Sequence, residues 1–248
     1  MERASDFELQ VFADLDALAY RVADWLIETA SAKVGTITIG LSGGSTPRRL
    51  YEILGDASEA MPWRRVHLFW GDERFVPPSN PMSNFRMVHE ALLSRVPVPA
   101  ANVHPIPFEG DPSEAANAYE RELMQFYGAN RLYPERPFFD VVLLDLGTDG
   151  HTASLLPDSS ALDEHVHWAT AVIPRAGGEP HITLTYPALE SSHNVAFLVA
   201  GNGKRQVLGR FRDRDRTMPA TRLRPNGTLI VFADQEAAGD GSDMPDGA

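Results

Sequence analysis

A histidine side chain can take a proton from water near neutral pH. His151 stands where an apolar run gives way to a glycine-flanked turn, Gly147-Thr148-Asp149-Gly150-His151-Thr152-Ala153-Ser154. Upstream, Phe139 to Leu144 is broken only by Asp140, the pattern of a strand covered on both faces. Downstream, His151 to Leu156 is expected to form one or two helical turns before Pro157. His151 would then sit at or near a helix N-terminus, with Asp149 as a candidate cap. On this segment alone, a general base and a solvated first-turn histidine are equally open.

A second segment suits an anion. The strand expected over Thr36 to Leu41 runs into Ser42-Gly43-Gly44-Ser45-Thr46-Pro47, and a helix follows from Arg48 to Leu54 with Pro47 suited to its first position. Strand, glycine turn and helix start bring unpaired N–H groups and the positive end of a helix dipole to one place. The lysine of a mononucleotide P-loop is missing and the spacing is not GxGxxG, so neither ATP nor NAD is supported and a small phosphoester fits better. The competing reading is a tight turn with Ser45 or Thr46 as helix cap. The same order recurs where a strand from Asn194 to Ala200 ends in Gly201-Asn202-Gly203-Lys204 before a helix from Arg205 to Arg212; Lys204 is either a solvated first-turn lysine or a cation beside an anion, and its misfit with the helix dipole favours the second. A further strand, Val66 to Trp70, ends in Gly71-Asp72-Glu73-Arg74. Asp72 and Arg74 could form only an exposed ion pair, but a position past a strand's carboxyl end favours function.

The remaining chain supplies elements to hold these loops. Phe7 to Phe12 alternates as an edge strand, Asp14 can cap a helix carrying Leu15, Leu18, Val22 and Leu26, and Ser83 or Asn84 starts a helix through Leu93. Val96 to Gly110 reads as a long connection, Pro112 to Gly128 as a helix, and His167 to Pro174, Ile182 to Tyr186 and Thr228 to Phe232 as strands. Residues 1–233 are expected to make a single α/β domain, and residues 234–248, with five acids and no base, a disordered acidic tail. The 248 residues can bury a substantial core, and the net charge of -12 argues against nucleic-acid or acidic-membrane partners. No cysteine is present, Ser45 has no motif-level base for a serine-hydrolase triad, and neither His89 with Glu90 nor His165 with His167 finds a third metal ligand. Without a signal peptide or spanning run, a cytoplasmic protein is the simplest expectation.

Taken together, Ser42 to Pro47, Gly71 to Arg74, Gly147 to Ser154 and Gly201 to Lys204 resemble the glucosamine-6-phosphate isomerase/6-phosphogluconolactonase family, and within it the lactonases. The resemblance implies a Rossmann-like α/β fold with a mostly parallel sheet flanked by helices. It implies hydrolysis of 6-phospho-D-glucono-1,5-lactone without a cofactor or metal, by a monomer or weak homodimer. His151 would be the base and Arg74 the stabiliser of the developing oxyanion, with Asp72 orienting Arg74 or the imidazole. Ser42, Gly43, Gly44, Ser45, Thr46 and Lys204 would hold the phosphate. Two positions depart from the family pattern: Asp145 stands where a glycine is usual, and His181 where an arginine is usual. Arg175 or another cation would then have to replace that arginine. An amino-sugar-phosphate deaminase or isomerase and a non-catalytic sugar-phosphate sensor are the alternatives. The deaminase pattern carries a glutamate after its histidine that Thr152 to Pro157 lacks, and the sensors generally attach a DNA-binding module.

Overall fold

Strands that are apolar on both faces must be covered on both faces, and here they form the middle of one parallel sheet. The computed structural model describes residues 7–174 and 177–239. In chain order it contains β1 (Phe7–Phe12), α1 (Leu15–Ala32), β2 (Ile37–Leu41), α2 (Ser45–Asp56), β3 (Val66–Trp70), β4 (Asp72–Arg74), α3 (Asn84–Val88), β5 (Val103–His104) and α4 (Pro112–Tyr127). There follow β6 (Phe139–Asp145), β7 (Ala169–Val172), β8 (His181–Leu184), α5 (Tyr186–Glu190), β9 (Ser192–Val199), α6 (Arg205–Arg212), β10 (Thr228–Asp234) and α7 (Gln235–Ala238). All residues of β2 are buried, as are those of β6 up to Leu144, while β1 lies at the sheet edge and follows the predicted alternation only from Phe7 to Leu9, since Gln10 is half-buried and Val11 exposed.

Seven strands pair in the order β1-β10-β9-β6-β2-β3-β5, every pair parallel. After β2 the chain adds β3 and β5 on one side, then returns to place β6, β9 and β10 on the other. The order therefore reverses between β2 and β6, where Ile39 lies beside Val141 and Gly40 beside Val142. A crevice opens past the carboxyl ends of strands at such a reversal. The four loops singled out in the sequence leave β9, β6, β2 and β3, which are neighbours on either side of it.

Local sequence explains the helices around the sheet. Asp14 accepts a hydrogen bond from the N–H of Ala17 to cap α1, whose buried Leu18, Val22 and Leu26 recur on one face. Asp111 caps α4, Pro112 opens it, and Gly128 ends it in the left-handed conformation. The helix begun at Asn84 continues to Leu93 through a π-helical turn, His89–Leu93. No helix among the described residues is long and apolar enough to cross a membrane.

Three expectations need correction. Gly71 to Arg74 is more than a loop: β4 joins β8 and β7 in a second, antiparallel sheet, with Asp72 opposite Thr183 and Arg74 opposite His181. The connection from Val96 to Gly110 contains the short strand β5, which pairs with β3. Residues 234–239 are ordered, because Asp234 accepts from the N–H groups of Gly201 and Ala237 and caps α7, whose Ala237 is buried. Residues 240–248, and Arg175, lie outside the described residues.

Glu190, at the end of α5, accepts from the N–H of Arg224 at 2.7 Å. Burial pushes its pKa from 4.5 up to about 7, against the pull of that N–H and the Arg224 charge. The folded state thus keeps a proton that the unfolded chain releases, and stability falls as pH rises from 4.5 to about 7. Glu190→Gln keeps the acceptor and removes the charge. It should raise Tm by about 7–14 °C above pH 7 and leave it nearly unchanged near the unfolded-state pKa, and an equal shift at both would contradict this.

Candidate active site

At the carboxyl end of β6 the chain closes a small ring of its own hydrogen bonds. The N–H of Gly147 donates to the carbonyl of His151 at 2.9 Å, and the N–H of Gly150 to the carbonyl of Gly147 at 2.9 Å. Inside this ring, Asp149 Oδ1 accepts from the His151 N–H at 3.0 Å and lies 2.6 Å from His151 Nδ1. A carboxylate can only accept, so the ring proton is assigned to Nδ1 and the lone pair to Nε2. Burial raises the Asp149 pKa, but the N–H, charge and ring of His151 outweigh it and hold the carboxyl below its usual range. The imidazole lies on the backbone of Gly147, where a Cβ would fall 2.1 Å from Nδ1. Glycine is required there for space.

The helix expected from His151 to Leu156 is absent. Ala153 takes φ 47°, and Thr152 and Leu155 form an isolated antiparallel bridge. Side chains account for the difference, because they bind elsewhere than a helix would allow. Thr152 Oγ1 donates back to the carbonyl of Asp145 at 3.0 Å, and Ser154 Oγ donates to Asp72 Oδ2 at 2.7 Å.

Asp72 is buried and touches neither Arg74 nor His151 by hydrogen bond or ion pair. The role of imidazole orienter, expected of Asp72, falls instead to Asp149. Asp72 anchors a different histidine: Ser154, having donated its proton to Asp72, must accept from His181 Nδ1, 2.7 Å away. That leaves a lone pair on His181 Nε2. Burial lowers the His181 pKa, Asp72 opposes this, and the Arg74 and His151 charges reinforce it. His181 therefore does not restore the positive charge of the arginine it replaces.

Arg74 is held by Asn84, whose Oδ1 accepts from Nη1 at 2.5 Å while its Nδ2 donates to the carbonyl of Asp72 at 3.0 Å. No hydrogen bond to Nε or Nη2 of Arg74 forms within the described residues. The same amide packs on Gly43, where a Cβ would fall 2.0 Å from Asn84 Oδ1. One asparagine thus ties the Arg74 loop to the glycine turn after β2. In that turn Ser42 faces inward, its N–H donating to Tyr51 Oη at 3.0 Å and its hydroxyl to the carbonyl of Gly43 at 3.2 Å. Gly44 occupies the cap position of α2 with no side-chain cap, Ser45 is exposed and Thr46 is buried. Neither serine nor threonine caps the helix, so the first-turn N–H groups remain for a ligand. Beside them Lys204 Nζ donates to Asp145 Oδ1 and Oδ2, each at 3.2 Å, and to the carbonyl of Leu146.

The structure thus gathers His151, Asp72, Arg74, His181, Lys204 and the turn from Gly43 to Thr46 at one end of the sheet. Ser154, Asn84, Glu73 and the orienting role of Asp149 are additions to the sequence reading. The Asp-x-His spacing could have revealed Asp149, since an Asx turn brings its carboxylate to the ring edge. Nothing local marks Asn84 as the link between loops.

Residues 13–231 match the family described as glucosamine-6-phosphate isomerases/6-phosphogluconolactonase. A 6-phosphogluconolactonase of Nostoc sp. is 39% identical over 236 residues, covering 92% of this chain and 96% of the relative. The crystal structure of a 6-phosphogluconolactonase from Thermotoga maritima superimposes with TM-score 0.79 at 30% identity, over 92% of this chain and 100% of that one. A monomeric glucosamine-6-phosphate deaminase shares the fold alone, with TM-score 0.78 at 18% identity over 94% of this chain and 99% of that one.

Proton placement on His151 can be read directly. Nitrogen-15 NMR of the neutral ring should show Nδ1 protonated and Nε2 bare, and Asp149→Ala, which removes the acceptor from Nδ1, should move a large share of the rings to the other tautomer. An unchanged tautomer in the variant would show that Asp149 does not set it.

Proposed function

Because the chain belongs to the glucosamine-6-phosphate isomerase/6-phosphogluconolactonase family, we propose that it opens its lactone with water activated by His151. The reaction is hydrolysis of 6-phospho-D-glucono-1,5-lactone to 6-phospho-D-gluconate, in the oxidative pentose phosphate pathway. The observation that carries the mechanism is the Asp149–His151 pair, with Nε2 bare, beside an uncapped helix N-terminus.

His151 Nε2 takes a proton from water as the oxygen attacks the lactone carbonyl carbon. The carbonyl oxygen becomes an oxyanion, stabilised by the guanidinium nitrogens of Arg74 that Asn84 leaves unbound. When the tetrahedral intermediate collapses, the bond to the ring oxygen breaks and the imidazolium returns its proton to that oxygen. Asp149 stabilises the imidazolium between the two transfers, as an acceptor on Nδ1–H. His181 Nε2, fixed through Ser154 and Asp72, accepts from a sugar hydroxyl. The phosphate lies on the first-turn N–H groups of α2, reached by Lys204, and its binding energy holds the carbonyl in line. Ser42 shapes this turn, its N–H and hydroxyl being taken up by Tyr51 Oη and the Gly43 carbonyl, and Gly43 leaves the space that the Asn84 amide fills. The net charge of -12 disfavours nucleic acid as a partner, and we place the enzyme in the cytoplasm as a monomer or weak homodimer.

Freshly generated lactone, with spontaneous opening subtracted, tests the scheme. His151→Ala should lower kcat by about a hundredfold or more with little change in KM, and an unchanged kcat would remove His151 from the base role. Lys204→Ala should raise KM for the phosphorylated lactone by about tenfold or more and leave kcat nearly unaltered. Equal kcat/KM of the wild type toward the unphosphorylated lactone would refute the phosphate site.

A further inference from the structure

Lys204 is already occupied. An ammonium group has three N–H donors, and those of Lys204 meet Asp145 Oδ1, Asp145 Oδ2 and the carbonyl of Leu146. The carboxylate that holds it stands at the α2 turn: Asp145 Oδ2 lies 3.6 Å from the point where a Cβ on Gly44 would be. A negative oxygen thus borders the place where the first-turn N–H groups of α2 would receive a phosphate. The Asp145 side chain is about one third exposed and that of Lys204 about one fifth, so both can be reached from solvent.

Resting on the phosphate site proposed above, we propose that Asp145 is a positioning residue that holds Lys204 as an internal substitute for the substrate phosphate and yields it when the phosphate binds. Phosphate and carboxylate cannot both keep the three donors of one ammonium. Once the phosphate draws Lys204 away, Asp145 is left half-buried beside a new anion, with His151 as the other nearby titrating group. Burial already raises the Asp145 pKa, and the opposing Lys204 charge and hydrogen bond weaken on exchange. Asp145 then takes up a proton from solvent, and binding becomes weaker as pH rises. The arrangement spares the empty site an unpaired lysine beside a helix N-terminus. It sets phosphate affinity lower than the cations alone would give, which favours release of the phosphorylated product.

Titration calorimetry with 6-phospho-D-gluconate, at a pH where its phosphate is fully ionised and in two buffers of different ionisation enthalpy, tests this. The wild type should take up a fraction of a proton on binding. Asp145→Asn and Asp145→Gly should bind about tenfold more tightly without that uptake, and their KM for the lactone should fall with kcat within about twofold. Affinity unchanged or weakened in both variants, or uptake persisting in them, would overturn the proposal, because a carboxylate that merely ties the turn together would cost affinity when removed. Gluconate binding the wild type as tightly as its phosphorylated form would instead sink the phosphate site itself, and the proposal with it.

Discussion

The buried carboxylate of Glu73 is the constraint on which the site depends. Its Oε1 accepts from the N–H groups of Arg74 at 2.8 Å and Asn84 at 2.7 Å, and its Oε2 from Ser83 Oγ at 3.0 Å and the N–H of Phe85 at 2.7 Å. Burial pushes its pKa upward, and these donors pull it back. Ionised, the group satisfies the open N-terminus of α3 and pins β4 to it, in the sense of a helix dipole meeting an anion. Each such bond is worth roughly 1.5–3 kcal/mol, which offsets the cost of a buried charge. Glu73 touches no reacting group, yet it fixes Asn84. Asn84 in turn joins Asp72, Arg74 and the turn at Gly43.

Two carboxylates then divide the work around the histidines. Asp149 sets the proton on His151, while Asp72 sets the proton on His181 through a serine. In each ring the nitrogen left bare is the one the carboxylate does not reach, so the crevice is lined by lone pairs, one guanidinium and one ammonium. This suits a neutral ester with a distant anionic group. The overall charge of -12 does not decide what binds in the crevice, because the carboxylates of Asp72, Asp145 and Asp149 are each engaged by a neighbouring side chain.

Much of this was legible in the sequence because strand burial and glycine turns are local signals. The runs at β2, β3, β6 and β9 and the glycines after them placed four loops correctly. That the interior strands run parallel follows from how they must be covered, whereas their order and its reversal appear only in the structure. What escaped was long-range hydrogen bonding. His151 to Leu156 has residues compatible with a helix, but Ser154 is claimed by Asp72, which lies 82 positions away. That the Asp72 carboxylate bonds to Ser154 and Asn84 rather than to Arg74 or the His151 ring escaped for the same reason, since spacing near Arg74 says nothing about a partner beyond β6. The tail was misjudged over residues 234–239 because composition weighs acids as solvated, whereas Asp234 is a cap for α7 and for the turn at Gly201.

The central claim is that one crevice presents a base to one end of a sugar ester and an anion cradle to the other. A crystal structure of the full chain with 6-phospho-D-gluconate bound tests it most directly. The account predicts the phosphate on the N–H groups of Ser45 and Thr46, and the C1 carboxylate within hydrogen-bonding distance, about 3 Å, of His151 Nε2. A product bound in the reverse sense, or with C1 beyond reach of both His151 and Arg74, would contradict it.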